Sequence, residues 1–114
     1  MKFSVITPSY LGNYGGAAQR RDEKLVRAVQ SVISQTFTDW ELIVIADGCH
    51  LTENIMKHFT QPYIKCVMIP KAPMWDGRPR NTGIECAKGE FIVYLDIDDA
   101  YGENHLKKIA DGLS

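Results

Sequence analysis

The sequence lacks the features by which membrane proteins and nucleic-acid-binding proteins are usually recognised. No segment approaches the ~18 consecutive apolar residues of a membrane span. Neither sign of charge dominates, because 13 lysine and arginine residues stand against 14 aspartate and glutamate residues, for a net charge of −1. This balance argues against nucleic acid or a membrane surface as a partner. Repeats, low-complexity tracts and linkers are also missing, so the 114 residues predict one compact domain.

Cysteine is scarce as well. Cys49, Cys66 and Cys86 form an odd set without paired short spacing, which favours reduced thiols and argues against a zinc site. The amino terminus enters a strand at Phe3 and lacks the longer apolar stretch of a signal peptide. We therefore expect a cytoplasmic protein.

Two common nucleotide-binding motifs are missing. A dinucleotide-binding fold has Gly-x-Gly-x-x-Gly directly after its first strand, whereas the glycines here are Gly12, Gly15 and Gly16, following Pro8 and Tyr10. The chain also has no Gly-x-x-x-x-Gly-Lys-Ser/Thr phosphate loop. Both nucleotide-binding classes are excluded.

Apolar runs alternate with segments of helical periodicity along the chain. The runs predict strands at 3–7, 40–46, 63–69 and 91–95, and the periodic segments predict helices at 17–35, about 51–59, about 80–87 and about 106–113. This alternation is typical of an α/β protein with a Rossmann-like parallel sheet. We expect Pro8 to end the first strand and Gly89 to cap the third helix.

An acidic cluster follows the last apolar run. Residues 91–95 are all large and apolar and lead directly to Asp96, Asp98 and Asp99, which predicts a strand buried on both faces with acids at its carboxyl end. Unpaired burial of these carboxylates would be prohibitive, and carboxylates one residue apart suit a hard divalent cation that also binds phosphate oxygens. An acidic helix-capping turn remains open from this motif alone. An aspartyl-nucleophile phosphatase is disfavoured because its acidic pair follows the first strand.

Other polar residues also follow predicted strands. The first strand leads into residues 7–10 (Thr-Pro-Ser-Tyr), and the second leads into Asp47 and Gly48. In open α/β sheets ligands bind at the carboxyl edge, so we expect Asp47 there, with an ordinary turn aspartate as the alternative. His105 is expected to be a solvated helix residue, with ligation of metal or phosphate as its alternative.

Six segments in series resemble the nucleotide-binding half of family 2 glycosyltransferases, which have the GT-A fold. They span essentially the whole chain and are residues 3–10, 28–45, 47–48, 80–84, 87–92 and 95–99. With this resemblance we predict a parallel sheet in the order 3-2-1-4 with helices on both faces. Residues 1–114 would form one nucleotide-sugar-binding half, without the acceptor half.

The resemblance also implies roles for individual residues. Those implied for the nucleotide sugar are Pro8, Ser9, Tyr10, Asp47, Arg80 and Asp96, and those implied for Mg²⁺ or Mn²⁺ are Asp98 and Asp96. Tyr10 would lie against the nucleobase face, and Asp47 would accept a hydrogen bond from the base, typically the ring N–H of uracil. Arg78 is an alternative to Arg80. The metal would neutralise the diphosphate leaving group.

The implied activity is inverting transfer of a sugar from a nucleotide-diphosphate sugar, with a UDP-sugar as the expected donor, to an acceptor hydroxyl. Ala46 and Leu11 depart from the family pattern, which often has Asp and Asn there, so donor identity is less well defined than donor binding. The catalytic base is expected in the absent half, so the chain would be an inactive fragment. The alternative is a complete, non-catalytic nucleotide-binding or interaction module. A homodimer through the exposed strand edge is a secondary expectation.

Overall fold

The computed structural model describes residues 2–11, 21–73 and 77–113. The three glycines between 12 and 16, the predicted helix start at 17–20 and Trp75 lie outside these residues. Each predicted strand and helix is found in the described chain. In chain order the elements are β1 (Phe3–Ser9), α1 (Arg21–Ile33), β2 (Trp40–Asp47), α2 (His50–Met56), β3 (Ile64–Ile69), α3 (Arg78–Cys86), β4 (Phe91–Tyr94) and α4 (His105–Leu113).

The four strands form one parallel sheet in the order β3-β2-β1-β4, which confirms the predicted order. β1 and β2 are the central strands, and nearly all of their residues are buried. The order places the segments that follow β1 and β4 side by side at the carboxyl edge. In the part of the chain described, no helix is long and apolar enough to cross a bilayer.

Helices cover both faces of the sheet. On one face, apolar residues of β1 and β2 pack with residues of α1, α2 and α4, including Leu25, Met56 and Leu106. On the other face, Ile6 and Ile43 form a smaller cluster beneath α3. α3 begins at Arg78, two residues earlier than predicted, because its first turn accommodates Pro79, where a missing N–H costs no helical hydrogen bond.

The prediction that Pro8 ends β1 was wrong, because the strand continues to Ser9 and pairs with β2 up to Ala46. Pro8 is tolerated because its nitrogen faces the β4 side of the strand and not β2. Ile6 accepts a hydrogen bond from Leu95 N–H on the β4 side, and alternate residues of a strand direct their backbone groups to the same side. β4 ends at Tyr94, opposite Ile6, so no ladder partner is lost at Pro8.

The prediction that the last strand is buried on both faces was also wrong. Phe91 and Tyr94 are 39% and 45% exposed, and Ile92 and Val93 are half-buried. Among the described strands β4 pairs only with β1, so it is an edge strand. The burial of an apolar run depends on what covers it, which its own composition does not show.

Gly89 does not cap α3 as expected. The cap is Ala87, in an extended conformation. A Cβ atom at position 89 would lie 2.7 Å from the backbone of Phe3 and Ser4, and the Gly89 N–H donates to Ser4 Oγ at 2.8 Å. Glycine is needed here because the chain passes directly against β1.

Candidate functional site

A cavity of about 860 Å³ opens at the carboxyl edge of the sheet. It lies between the ends of β1 and β2, the loop after β3, the start of α3 and the segment after β4. Every residue assigned to the site from the sequence borders it, namely Pro8, Ser9, Tyr10, Asp47, Arg80, Asp96 and Asp98. The structure therefore brings these residues together, while the role of each stays a prediction.

Ser9 and Tyr10 end β1 in different environments. Ser9 is 1% exposed, and its hydroxyl is hydrogen-bonded to the hydroxyl of Thr52 in α2 at 2.8 Å. Tyr10 packs against the main core cluster and also borders the cavity. Ser9 thus fixes α2 to the sheet, and Tyr10 borders the cavity beside it.

Asp47 is held by the loop that follows β3. Its side chain is 12% exposed; Oδ1 accepts from Ala72 N–H at 2.8 Å and Oδ2 accepts from Lys71 Nζ at 3.2 Å. The same ammonium lies 4.7 Å from the centre of the Tyr10 ring. Sequence reasoning missed Lys71; the signal that could have found it is a basic residue directly after a strand at the ligand edge.

The segment after β4 alternates between the core and the cavity. Leu95 and Ile97 are 2% and 8% exposed, whereas the side chains of Asp96 and Asp98 are 59% and 65% exposed. The two buried residues anchor the segment in the core, and the two carboxylates that alternate with them are directed to solvent. Asp99 N–H donates to the Asp96 carbonyl at 3.0 Å, so the chain turns here. The expectation that the acids escape burial is confirmed.

Each of these carboxylates faces a cation from a different helix. Arg80 of α3 lies 3.8 Å from Asp96. Lys24 of α1 lies 3.1 Å from Asp98 Oδ1, and Arg27 Nη2 donates to the Asp98 carbonyl at 3.1 Å. Exposed pairs of this kind contribute at most about 1 kcal/mol, so a charged ligand can displace them. Neither of these α1 cations was assigned to the site from the sequence.

Asp96 and Asp98 also suit a divalent cation by their chemistry. Mg²⁺ is typically bound by one or two carboxylates together with substrate phosphates, and both side chains are exposed at the cavity. The described ranges contain no cluster of three or more His, Cys, Asp or Glu side chains arranged for a metal. The two acids therefore fit a cation that shares its coordination with a ligand.

A smaller cavity of about 300 Å³ adjoins the first and shares Arg80, Asp96 and Asp99 with it. Tyr101 donates from its hydroxyl to the Tyr94 carbonyl at 2.5 Å, and its ring stacks on exposed His105 at 4.1 Å. Burial, with the nearby carboxylates, raises the pKa of Tyr101 to about 12. His105 is therefore the exposed first residue of α4, covering a tyrosine that remains protonated at neutral pH.

Comparison with known proteins gives one family. The model described as "Glycosyl transferase family 2" matches residues 4–114. TarP of Staphylococcus aureus, a poly(ribitol-phosphate) beta-N-acetylglucosaminyltransferase, is 34% identical over 95% of this chain and 32% of its own length. WfgD of Escherichia coli, a UDP-Glc:alpha-D-GlcNAc-diphosphoundecaprenol beta-1,3-glucosyltransferase, is 31% identical over 91% of this chain and 38% of its own.

Solved structures agree with this result. The crystal structure of S. aureus TarS in complex with UDP-GlcNAc superposes with a TM-score of 0.79 at 27% identity, and covers 97% of this chain and 30% of that one. The TarS complex with UDP gives a TM-score of 0.78 at the same identity. The chain thus spans about a third of the length of TarP and WfgD and 18% of the length of whole TarS.

Proposed function

Since the chain belongs to glycosyl transferase family 2, we propose that it forms the donor-binding part of an inverting glycosyltransferase that uses a UDP-sugar. The observation that carries the proposal is the single cavity bordered by all seven assigned residues. Its two ends differ in chemistry. One end, around Tyr10 and Asp47, is called the base end, and the other, around Asp96, Asp98 and Arg80, is called the diphosphate end.

At the base end, the Tyr10 ring would lie against the nucleobase, and Asp47 would accept the N–H of the uracil ring. Asp47 suits this role because a carboxylate offers about four acceptor positions and two of them are taken by Ala72 and Lys71. A ligand N–H can bind without displacing the backbone contact that holds the carboxylate.

At the diphosphate end, Arg80 borders the cavity and pairs with Asp96, and Lys24 pairs with Asp98, which also borders it. In the proposal they turn to the diphosphate when Asp96 and Asp98 take a divalent cation, Asp98 being the direct ligand. A bound Mg²⁺ or Mn²⁺ would stabilise the negative charge of the departing diphosphate. An acceptor hydroxyl would attack the anomeric carbon from the opposite face, and none of the described residues is proposed as the general base.

Two comparisons support UDP as the nucleotide. The name of WfgD includes UDP-Glc, and one TarS structure contains UDP-GlcNAc. The cytoplasmic location stays a prediction.

The test is a calorimetric titration of UDP into the chain, with and without Mn²⁺. The unsubstituted chain should bind UDP more tightly with Mn²⁺. Asp98→Asn should remove that increment, because a neutral amide attracts a cation far less than a carboxylate does. Asp47→Asn should instead weaken UDP binding about tenfold both with and without Mn²⁺, since a hydrogen bond to a charged group contributes about 1.5 kcal/mol or more.

Asp111→Asn is the matched control, because Asp111 lies on α4, pairs with Lys107 at 3.3 Å and does not border the cavity. It should leave both titrations unchanged. A Mn²⁺ increment that survives in Asp98→Asn would refute the metal role of that residue. Failure of UDP, GDP and dTDP to bind the unsubstituted chain, with or without Mn²⁺, would contradict the proposed function.

A further inference from the structure

Lys71 follows β3, and its backbone lies against the turn that ends β2. Gly48 has a φ of 62°, and a Cβ atom there would lie 2.6 Å from Lys71 Cβ. Gly48 N–H donates to the Ile69 carbonyl at 2.8 Å, and Ala72 N–H donates to Asp47 Oδ1. Because the backbone on both sides is held, the Lys71 side chain extends from a defined point at the base end.

The Lys71 ammonium retains a donor for a ligand. An ammonium has three N–H groups; one reaches Asp47 Oδ2 at 3.2 Å and another reaches the Ala72 carbonyl. These are its hydrogen bonds to the described residues, so one N–H remains. The nitrogen also lies over the Tyr10 ring, 4.7 Å from its centre, on the residue against which the proposed function places the base.

We propose that Lys71 and Asp47 together select the base, with Asp47 accepting a ring N–H and Lys71 donating to the carbonyl beside it. The inference rests on the proposed function, because it assumes a nucleotide stacked on Tyr10. The flexible lysine stem lets the ammonium move from the ring face to the edge of the base while it stays close to Asp47.

Lys71 as donor and Asp47 as acceptor are complementary to the edge of uracil and not to that of cytosine. In one and the same pose, uracil presents N3–H to Asp47 and O4 to Lys71. Cytosine presents an unprotonated N3 to the carboxylate and an amino group to the ammonium, so an acceptor meets an acceptor and a donor meets a donor. Leaving such groups unpaired in a site built to bond them is costly. Guanine has the same N–H and carbonyl edge as uracil, so the pair selects keto bases over amino bases.

The test compares UDP and CDP binding to the chain and to Lys71→Met, which keeps the length of the side chain and removes its charge and donors. We expect UDP affinity to fall about tenfold, as for loss of a charged hydrogen bond, and CDP affinity to stay equal or rise. Lys71→Arg should retain the preference for UDP. Lys57→Met is the control, because that lysine is exposed just beyond α2, with Asn54 as its side-chain partner. Lys71 is 40% exposed, so the substitutions should fold, which circular dichroism would verify.

Each outcome decides the matter. In Lys71→Met, equal losses of UDP and CDP affinity would mean that Lys71 acts on the diphosphate. Unchanged or tighter UDP binding would mean that Lys71 makes no useful contact with the base. Either result overturns the inference and leaves the proposed function intact. An unsubstituted chain that binds neither nucleotide nor GDP would overturn the proposed function and this inference with it. Asp47→Asn should also reduce the ratio of UDP affinity to CDP affinity. An unchanged ratio in this variant would contradict base selection by Asp47 and Lys71.

Discussion

Replacing Glu41 with glutamine should destabilise the fold far more than a surface substitution, although Glu41 lies away from the cavity. Glu41 is on β2 and 1% exposed. Its Oε2 accepts from Ser4 Oγ and from Lys88 N–H, both at 2.6 Å, while Lys65 Nζ lies 3.7 Å from Oε1. The carboxylate therefore ties β2 to β1 and to the chain entering β4, the strand that carries the acids of the site.

The size of the effect follows from these contacts. Hydrogen bonds to a charged acceptor contribute about 1 kcal/mol more than neutral ones, so the two bonds lose about 2 kcal/mol together. The new amide group would take the place of Oε1, which has no hydrogen-bond partner among the described residues, and a buried unsatisfied group costs at least about 1 kcal/mol. The sum is about 3 kcal/mol, or about 1.5 M in the urea midpoint for an m-value of about 2 kcal/mol/M.

The loss of stability in Glu41→Gln should depend on pH. Burial by itself raises the pKa of Glu41, but the hydrogen bonds from Ser4 and Lys88 and the charge of Lys65 outweigh it, so the pKa lies below its ordinary value of 4.5. A carboxyl with a lowered folded pKa stabilises the protein above the unfolded pKa, and this contribution is lost as the pH falls through the folded value. The difference between the chain and Glu41→Gln should therefore be full at pH 7 and shrink below about pH 4.5.

Urea denaturation at pH 7 and at successively lower pH measures both effects. Glu90→Gln is the control, since that side chain is 66% exposed and lies 3.8 Å from Lys2, and it should change stability by less than about 0.5 kcal/mol. The reasoning is refuted if Glu41→Gln costs no more than Glu90→Gln, or if its cost at pH 7 persists undiminished below the pKa of the carboxyl.

The remaining predictions concern glycines. Gly48→Ala should cost at least about 1–2 kcal/mol, because its φ of 62° strains an L-residue and its Cβ would overlap Lys71; thermal unfolding and UDP titration should both report the loss, and an unchanged melting temperature would contradict it. Gly83→Ala should destabilise by about 1–3 kcal/mol, since its Cβ would lie 2.5 Å from Ile6 Cγ2 beneath α3 and overpack the core. Gly112→Ala on α4, with open space around it, should instead stabilise by up to about 0.5–1 kcal/mol. A stabilising Gly83→Ala would show that α3 does not approach the sheet this closely.

The pattern of residues along the chain was sufficient to predict the helices and strands, and the family resemblance added the strand order. Alternation of apolar runs with helical periodicity is a local property, and each of the eight predicted elements has its counterpart in the structure. The strand order followed from the family resemblance, and the sheet has that order. Two predictions failed because their outcome depends on neighbouring strands and on what covers them. Whether Pro8 ends β1 depends on where β4 stops, and whether residues 91–95 are buried depends on what covers them.

For the candidate site, too, some features could be predicted from the sequence and others depended on the tertiary structure. The sequence located its acids and its aromatic residue, because the carboxyl ends of parallel strands meet at one edge, so residues that follow different strands come together whatever their separation along the chain. Only the tertiary structure paired Asp47 with Lys71 and Asp98 with Lys24, which lie 24 and 74 positions apart. These pairs depend on how closely a loop or helix approaches the sheet. That approach is set by packing across the whole fold, and no local pattern in the sequence encodes it.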